Sequence, residues 1–344
     1  MKQKIILVVD WNISKDNFWL KQELEKNEFK VVYFGLVAFN KSDLTIKWRK
    51  LLLWTKYLFT ALFILLKSKK NDIILSWNFV LGAWIGFFSR IFFLNRKIIS
   101  LNLIAHEKGS LNTLIRKLIY NQAFKNPNFF TTVNTKELIG VYEKYFIAKD
   151  NKYFLLEDPY DPESDISDFL PIKTFVFAGG EAARDWELFF EAAQKLPEIP
   201  FKIIVRKKYF DIDFELPNVE IEYDTSIEFF YKKMKESSLV VLPLNSVAPS
   251  GILVLHRAAL LSKPIIATET SITNTYITNN ENGILIPMHN VDDLVLGIKK
   301  LFENQDLCKE FATKLHEKTL IEFSPIKYTQ KLIDILKDLN WVSK

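Results

Sequence analysis

The sequence predicts an α/β protein made of two consecutive doubly wound domains, each a parallel sheet with helices on both faces. Three observations lead there. Short Val- and Ile-rich runs alternate with helix-length stretches of mixed polarity, the pattern of strand–helix–strand units. The alternation breaks once, at 157–171 (EDPYDPESDISDFLP), where three prolines and six acidic residues show no periodicity. Beyond that break it starts again, and 344 residues is a length suited to two domains.

Residues 4–10 (KIILVVD) form the first apolar run and read as a buried strand; 30–36 (KVVYFGL) read as the second, after a polar helical segment. Residues 72–76 and 97–103 follow as the third and fourth strands, then 129–133 and 153–156. Past the break, strands are expected at 174–178, 201–205, 219–223, 239–243, 264–267 and 284–286. Helices are expected at 186–196, 227–235, 252–261 and 291–302. The domain limits expected are 1–160, 161–325 and a closing helix from 326 to 344.

Composition narrows the class. A chain with 49% hydrophobic and 25% charged residues is globular rather than disordered. The single thiol, Cys308, excludes an internal disulfide framework and a Cys-rich zinc site and fits a reducing cytoplasm. The first apolar run, 5–9, is too short for a signal peptide, so a cytoplasmic protein is expected.

Charge divides the chain. Residues 1–157 hold 25 Lys and Arg against 12 Asp and Glu, whereas the remainder holds 21 against 29. A basic, aromatic-rich half suits an anionic partner such as a membrane surface, lipid phosphate, nucleic acid or acidic glycan; codon bias toward Lys, Asn, Ile and Phe is the plainer explanation. Residues 51–66 (LLLWTKYLFTALFILL) are interrupted by Lys56 and flanked by Lys47, Arg49 and Lys50, then by Lys67, Lys69 and Lys70. A spanning helix needs about 20 apolar residues, so this run does not cross a membrane. The run at 79–94, with Gly82, Gly86 and Arg90, is no better. Two readings stand: buried helices of the sheet layer, or helices whose outer faces rest on lipid. No helix-turn-helix, zinc or RNA-binding signature supports a nucleic-acid partner.

Open α/β sheets bind ligands beyond the carboxyl ends of their strands, where helix N-termini point at them. One such place is FVFAGGEAARDWELFF, where a strand ends in Gly179 and Gly180, and Arg184 precedes Asp185, a good helix cap. Arg184 there is a phosphate clamp or a solvated charge. The other is Pro249-Ser250-Gly251, opening a helix whose free N–H groups suit a diphosphate, or simply an ordinary capped helix.

At these residues the second domain resembles the nucleotide-sugar-binding half of GT-B glycosyltransferases, particularly the bacterial retaining enzymes called glycosyltransferase family 4-like, or glycosyl transferases group 1. Gly179, Gly180, Arg184-Asp185 and 191–193 (EAA) fall in the order of that group's first motif. Ser250-Gly251, Arg257-Ala258-Ala259, 263–268 (KPIIAT) and 281–287 (ENGILIP) follow in its later order, and PIKYTQKLIDIL resembles its terminal helix. The resemblance implies two Rossmann-like domains facing each other across a cleft, with the closing helix returning to the first. It also implies a sugar nucleotide as donor, a glycan or lipid-linked acceptor, and no metal or other cofactor. The implied donor contacts are Gly179, Gly180, Arg184, Arg206, Ser250, Gly251 and Arg257, with Lys108 and Lys207 as weaker phosphate contacts.

The chain departs from the group's pattern. Its paired glutamates, seven residues apart, fall on Pro249 and Arg257, and its later Gly-Gly-x-x-Glu loop falls near 271–275, with Thr275 in place of Glu. Arg only donates hydrogen bonds, whereas Glu accepts them from ribose hydroxyls, so donor recognition must differ. Enzymes of the group often carry a His or carboxylate beyond a strand of the first domain, so the resemblance makes His106, after the fourth strand, the expected base, with Glu107 as its reserve. His256 is expected to face the donor; His289 and His316 read as surface positions. No His, Cys, Asp or Glu spacing suggests a metal site. The expected function is glycosyl transfer in capsule, exopolysaccharide or lipopolysaccharide synthesis at the inner face of the cytoplasmic membrane. The alternative is a catalytically silent relative that binds sugar nucleotide or partners another transferase.

Overall fold

The computed structural model describes residues 2–10, 18–36, 46–104, 111–148, 150–171, 173–181, 183–210, 215–247 and 249–343. The chain forms two compact units: Met1–Asp158 together with Pro325–Lys344, and Pro159–Ser324.

The first unit alternates β1 (Lys4–Val9), α1 (Trp19–Lys26), β2 (Lys30–Gly35), α2 (Ile46–Lys67), β3 (Ile73–Ser76) and α3 (Phe79–Ile91). It continues with β4 (Lys97–Ser100), α4 (Leu111–Phe124), β5 (Phe129–Val133), α5 (Lys136–Tyr145) and β6 (Tyr153–Leu155). The strands form one parallel sheet in the order β2-β1-β3-β4-β5-β6. Five consecutive residues of β1, Ile5 to Val9, are fully buried, as a strand covered on both faces requires. The expected fourth strand ends early, at Ser100: Asn102 turns into the left-handed region (φ 56°) and gives its N–H to Thr132 Oγ1, while Leu101 and Leu103 N–H still reach the Ser76 and Thr132 carbonyls.

Helices α2, α3 and α4 pack side by side on one face of this sheet, α2 on α3 and α3 on α4, as right-handed crossovers running the same way demand. The first crossover runs in the opposite direction and places α1 on the other face, where α12 (Pro325–Asp338) packs beside it. Tyr328, Leu332, Ile333, Ile335 and Leu336 of α12 are buried in the same core as Ile5, Leu7 and Leu75. The run at 51–66 is therefore the body of α2, with Tyr57, Ala61, Ile64 and Leu65 facing the sheet. Among the described residues no helix is long and apolar enough to cross a membrane.

The second unit repeats the pattern with β7 (Val176–Gly179), α6 (Trp186–Gln194), β8 (Phe201–Val205), β9 (Val219–Tyr223), α7 (Ile227–Glu236) and β10 (Leu239–Leu242). Next come α8 (Ile252–Leu260), β11 (Ile265–Thr268), α9 (Ser271–Tyr276), β12 (Ile284–Ile286), α10 (Val291–Glu303) and α11 (Gln305–Glu322). Its sheet is parallel in the order β12-β11-β10-β7-β8-β9. Both units are thus Rossmann-like. Cys308 lies in this core, where it donates to the Leu301 carbonyl at 2.9 Å and burial pushes its thiol up to about 12.

Candidate active site

In the second unit the chemistry gathers beyond the carboxyl ends of β7 and β10. Residues 183–185 run antiparallel to 243–245: Asp185 N–H donates to the Pro243 carbonyl at 3.0 Å and Asn245 N–H to the Ala183 carbonyl at 3.1 Å. The Asn245 amide adds a bond to the Arg184 carbonyl at 3.0 Å. This short ribbon holds Arg184 and Asp185 in place, and successive residues of such a ribbon point to opposite sides.

Arg184 turns toward the glycines and the start of α8. Its Nε donates to the Gly179 carbonyl at 2.9 Å and its Nη1 to Ser250 Oγ at 3.4 Å. Burial pulls the guanidinium down to about 10, so it still carries its charge at neutral pH. Gly180 sits at φ 116°, and a Cβ there would collide with this guanidinium. Gly251 caps α8 at φ 83°, and a Cβ would lie 2.9 Å from the Leu242 methyls. Both positions need a residue without a side chain. The result is a buried cation beside the N-terminus of a nine-residue helix, next to backbone that a ligand can approach closely.

Asp185 turns the other way. Its Oδ1 accepts from Leu188 N–H at 3.1 Å and caps α6, while Oδ2 meets His289 Nδ1 at 2.5 Å. His289 is largely exposed, as expected; His316 is half-buried, with Nδ1 within 2.9 Å of the Ala259 carbonyl.

Gly179, Gly180, Arg184, Ser250 and Gly251 are therefore brought together, and the other expected donor contacts each have a partner of their own. Arg206 follows β8 and pairs through Nε with Glu181 at 2.5 Å. Arg257 is buried in α8 with its guanidinium 3.6 Å above the centre of the Tyr231 ring of α7. His256 faces the Tyr276 and Phe323 rings rather than open space, contrary to the expectation for it. The stretch 271–275 is the body of α9, opened by a capping box in which Thr270 and Thr273 bond each other's backbone N–H. Lys207 begins a short turn after β8.

In the first unit, His106, Glu107 and Lys108 lie outside the described residues. Two polar clusters at the carboxyl ends of its strands were not foreseen. Asp10, just past β1, accepts from Tyr57 OH at 2.8 Å and from the Asn78 amide at 2.7 Å on the same oxygen. Burial, then the Asp10 carboxylate, push the Tyr57 phenol far above its ordinary range. Asp158 is half-buried and accepts from the Asn134 amide at 3.0 Å and from Asn102; desolvation raises its carboxyl to about 6. Partners 47 and 68 residues away in the Asp10 cluster leave no local motif to find. Among the described residues no group of three His, Cys, Asp or Glu side chains could hold a metal ion.

The family model "Glycosyl transferases group 1" matches residues 221–318. A search of curated protein sequences finds no match. Among solved structures, HepE of Anabaena, determined with UDP, is 13% identical with a TM-score of 0.67 over 98% of this chain and 100% of its own. Sucrose-phosphate synthase of Thermosynechococcus elongatus is 13% identical, TM-score 0.70, over 98% and 99%. WaaG, a glycosyltransferase involved in lipopolysaccharide biosynthesis, is 13% identical, TM-score 0.62, over 96% and 99%. At such identities the likeness is one of fold, and the resemblance drawn from the sequence is found again in the matched stretch.

Proposed function

We propose that this GT-B glycosyltransferase moves a sugar from a nucleotide-diphosphate donor, held by the second unit, to a lipid-linked or polysaccharide acceptor in cell-surface glycan assembly. The observation that carries the reading is Arg184, a buried cation facing Ser250 at the start of α8 between two glycines of positive φ. A diphosphate leaving group gathers negative charge as the bond from the anomeric carbon to its oxygen breaks. Arg184 and the α8 N-terminus stabilise that charge, and Gly180 and Gly251 leave the backbone open to it. On the acceptor side the proposal retains His106, with Glu107 in reserve, as the group that takes the hydroxyl proton while the new glycosidic bond forms. It invokes no metal and no other cofactor. Fold neighbours that bind UDP or act in lipopolysaccharide synthesis support the donor class and the surface-glycan setting. In this reading the protein works on the cytoplasmic side, at the inner face of the membrane.

A second reading, a silent relative that binds sugar nucleotide without transferring it, draws on Arg257, which stands at a position of the missing glutamate pair and is stacked on Tyr231. A thermal-shift panel with UDP, GDP, CDP, ADP and dTDP, each with and without its common sugars, tests the donor site. A ligand at about 100 times its Kd adds about 2.7 kcal/mol, an easily seen shift. One clear responder is expected; silence across the panel overturns the donor reading. Hydrolysis of the responding sugar nucleotide then separates transferase from silent relative.

A further inference from the structure

We propose that the α2–α3–α4 layer of the first unit is a docking face for an anionic lipid surface, laid flat on it rather than inserted through it. The proposal goes beyond the transferase reading and does not depend on sugar transfer. The three helices lie side by side on one face of the sheet and hold eight Lys and Arg with no Asp or Glu. Helix α5, by contrast, carries Glu137 and Glu143.

The same layer leaves its large apolar side chains in the open. Phe59, Leu66, Phe93, Leu114 and Leu118 are between 58% and 87% exposed. The helices run in one direction, so Leu114 lies near one end of the layer, Phe59 and Leu118 toward its middle, and Leu66 and Phe93 near the other end. Apolar surface thus extends along the whole length, which suits helices lying in an interface plane. Cations stand at one end, Lys67, Lys69 and Lys70, and at mid-length, Arg116 and Lys117. An aromatic row crosses the layer. Arg116 sits over the Trp54 ring at 5.5 Å, Trp54 meets Trp84 edge-on, and Trp84 and Phe92 each stack on Phe88. Rings of this kind are favoured where apolar and wet surroundings meet.

Charge decides the occupant. A second copy of the chain, docked by the same patch about a twofold axis, would set an acid-free cationic face against itself. A leaflet carrying phosphate headgroups meets the cations with opposite charge and the apolar side chains with acyl chains.

The test is sedimentation of the full chain with phosphatidylcholine vesicles, with and without phosphatidylglycerol, at low and high salt. Binding is expected only with the anionic lipid and should weaken by about tenfold or more at high salt. Phe59→Ser with Leu66→Ser, and separately Lys69→Glu with Lys70→Glu, should each lower binding about tenfold. Circular dichroism should show both variants folded, since all four side chains are exposed. Recovery of the wild type in the supernatant, or variants that bind as it does, overturns the proposal. So does a concentration-dependent dimer, or a complex with polyglutamate, formed without any vesicle binding. Transfer to a soluble acceptor is read separately, so failure here leaves the transferase reading standing, and the reverse.

Discussion

Arg184 shows what one side chain contributes to the donor site. Its charge is kept out of water at the cost of desolvation, which an arriving phosphate offsets. Arg184→Ala should therefore weaken nucleotide binding by about 1–3 kcal/mol, the scale of a charge-assisted hydrogen bond. Titration calorimetry with the responding nucleotide measures this, and unchanged affinity would remove Arg184 from the site. The residue was legible in the sequence because a Gly pair, an Arg and a capping Asp fall within seven positions. Arg257 was not, because helical spacing tells which residues share a face but not what covers it. Here Tyr231 of the neighbouring helix covers it. His256 was misjudged for the same reason, Phe323 and Tyr276 arriving from distant segments.

At the scale of elements, strands were the most legible, because a buried parallel strand is a continuous apolar run and little else reads that way. Where the run at 97–103 overstated its strand, the cause was Asn102, whose left-handed turn is invisible in an apolar pattern. The short α9 escaped notice because its signal is a pair of threonines three residues apart, the weakest form of a capping box. Helix α12 was expected only through the resemblance of PIKYTQKLIDIL to a terminal helix, and its packing gives it a role in the first unit's stability. Leu332 is fully buried in that unit's core. Leu332→Ala should cost about 2–5 kcal/mol, the range for a large-to-small core substitution. Urea unfolding followed by tryptophan fluorescence checks this, and a loss below about 1 kcal/mol would show that α12 is dispensable to the core.

For the whole molecule, Asp158 makes stability depend on pH. Its folded pKa of about 6 lies above the ordinary value of about 3.9, so between these pH values the folded state holds a proton that the unfolded chain has lost. Stability from this group is therefore greatest below about pH 4 and falls as pH rises through 6, by on the order of 3 kcal/mol. Asp158→Asn should remove that slope, which unfolding curves at several pH values between the two limits would show; identical slopes for wild type and variant would refute it. The position is also where the chain leaves the first unit, to which it returns at Pro325. That return has a consequence for biosynthesis. A ribosome releases the first 158 residues without the helix that completes their core, and the entire second unit must emerge before α12 does. Domains that are contiguous in sequence can fold as they appear, N-terminal first. Here the order is inverted: the unit begun first is the last to be closed, and until then one apolar face of its sheet waits partly uncovered.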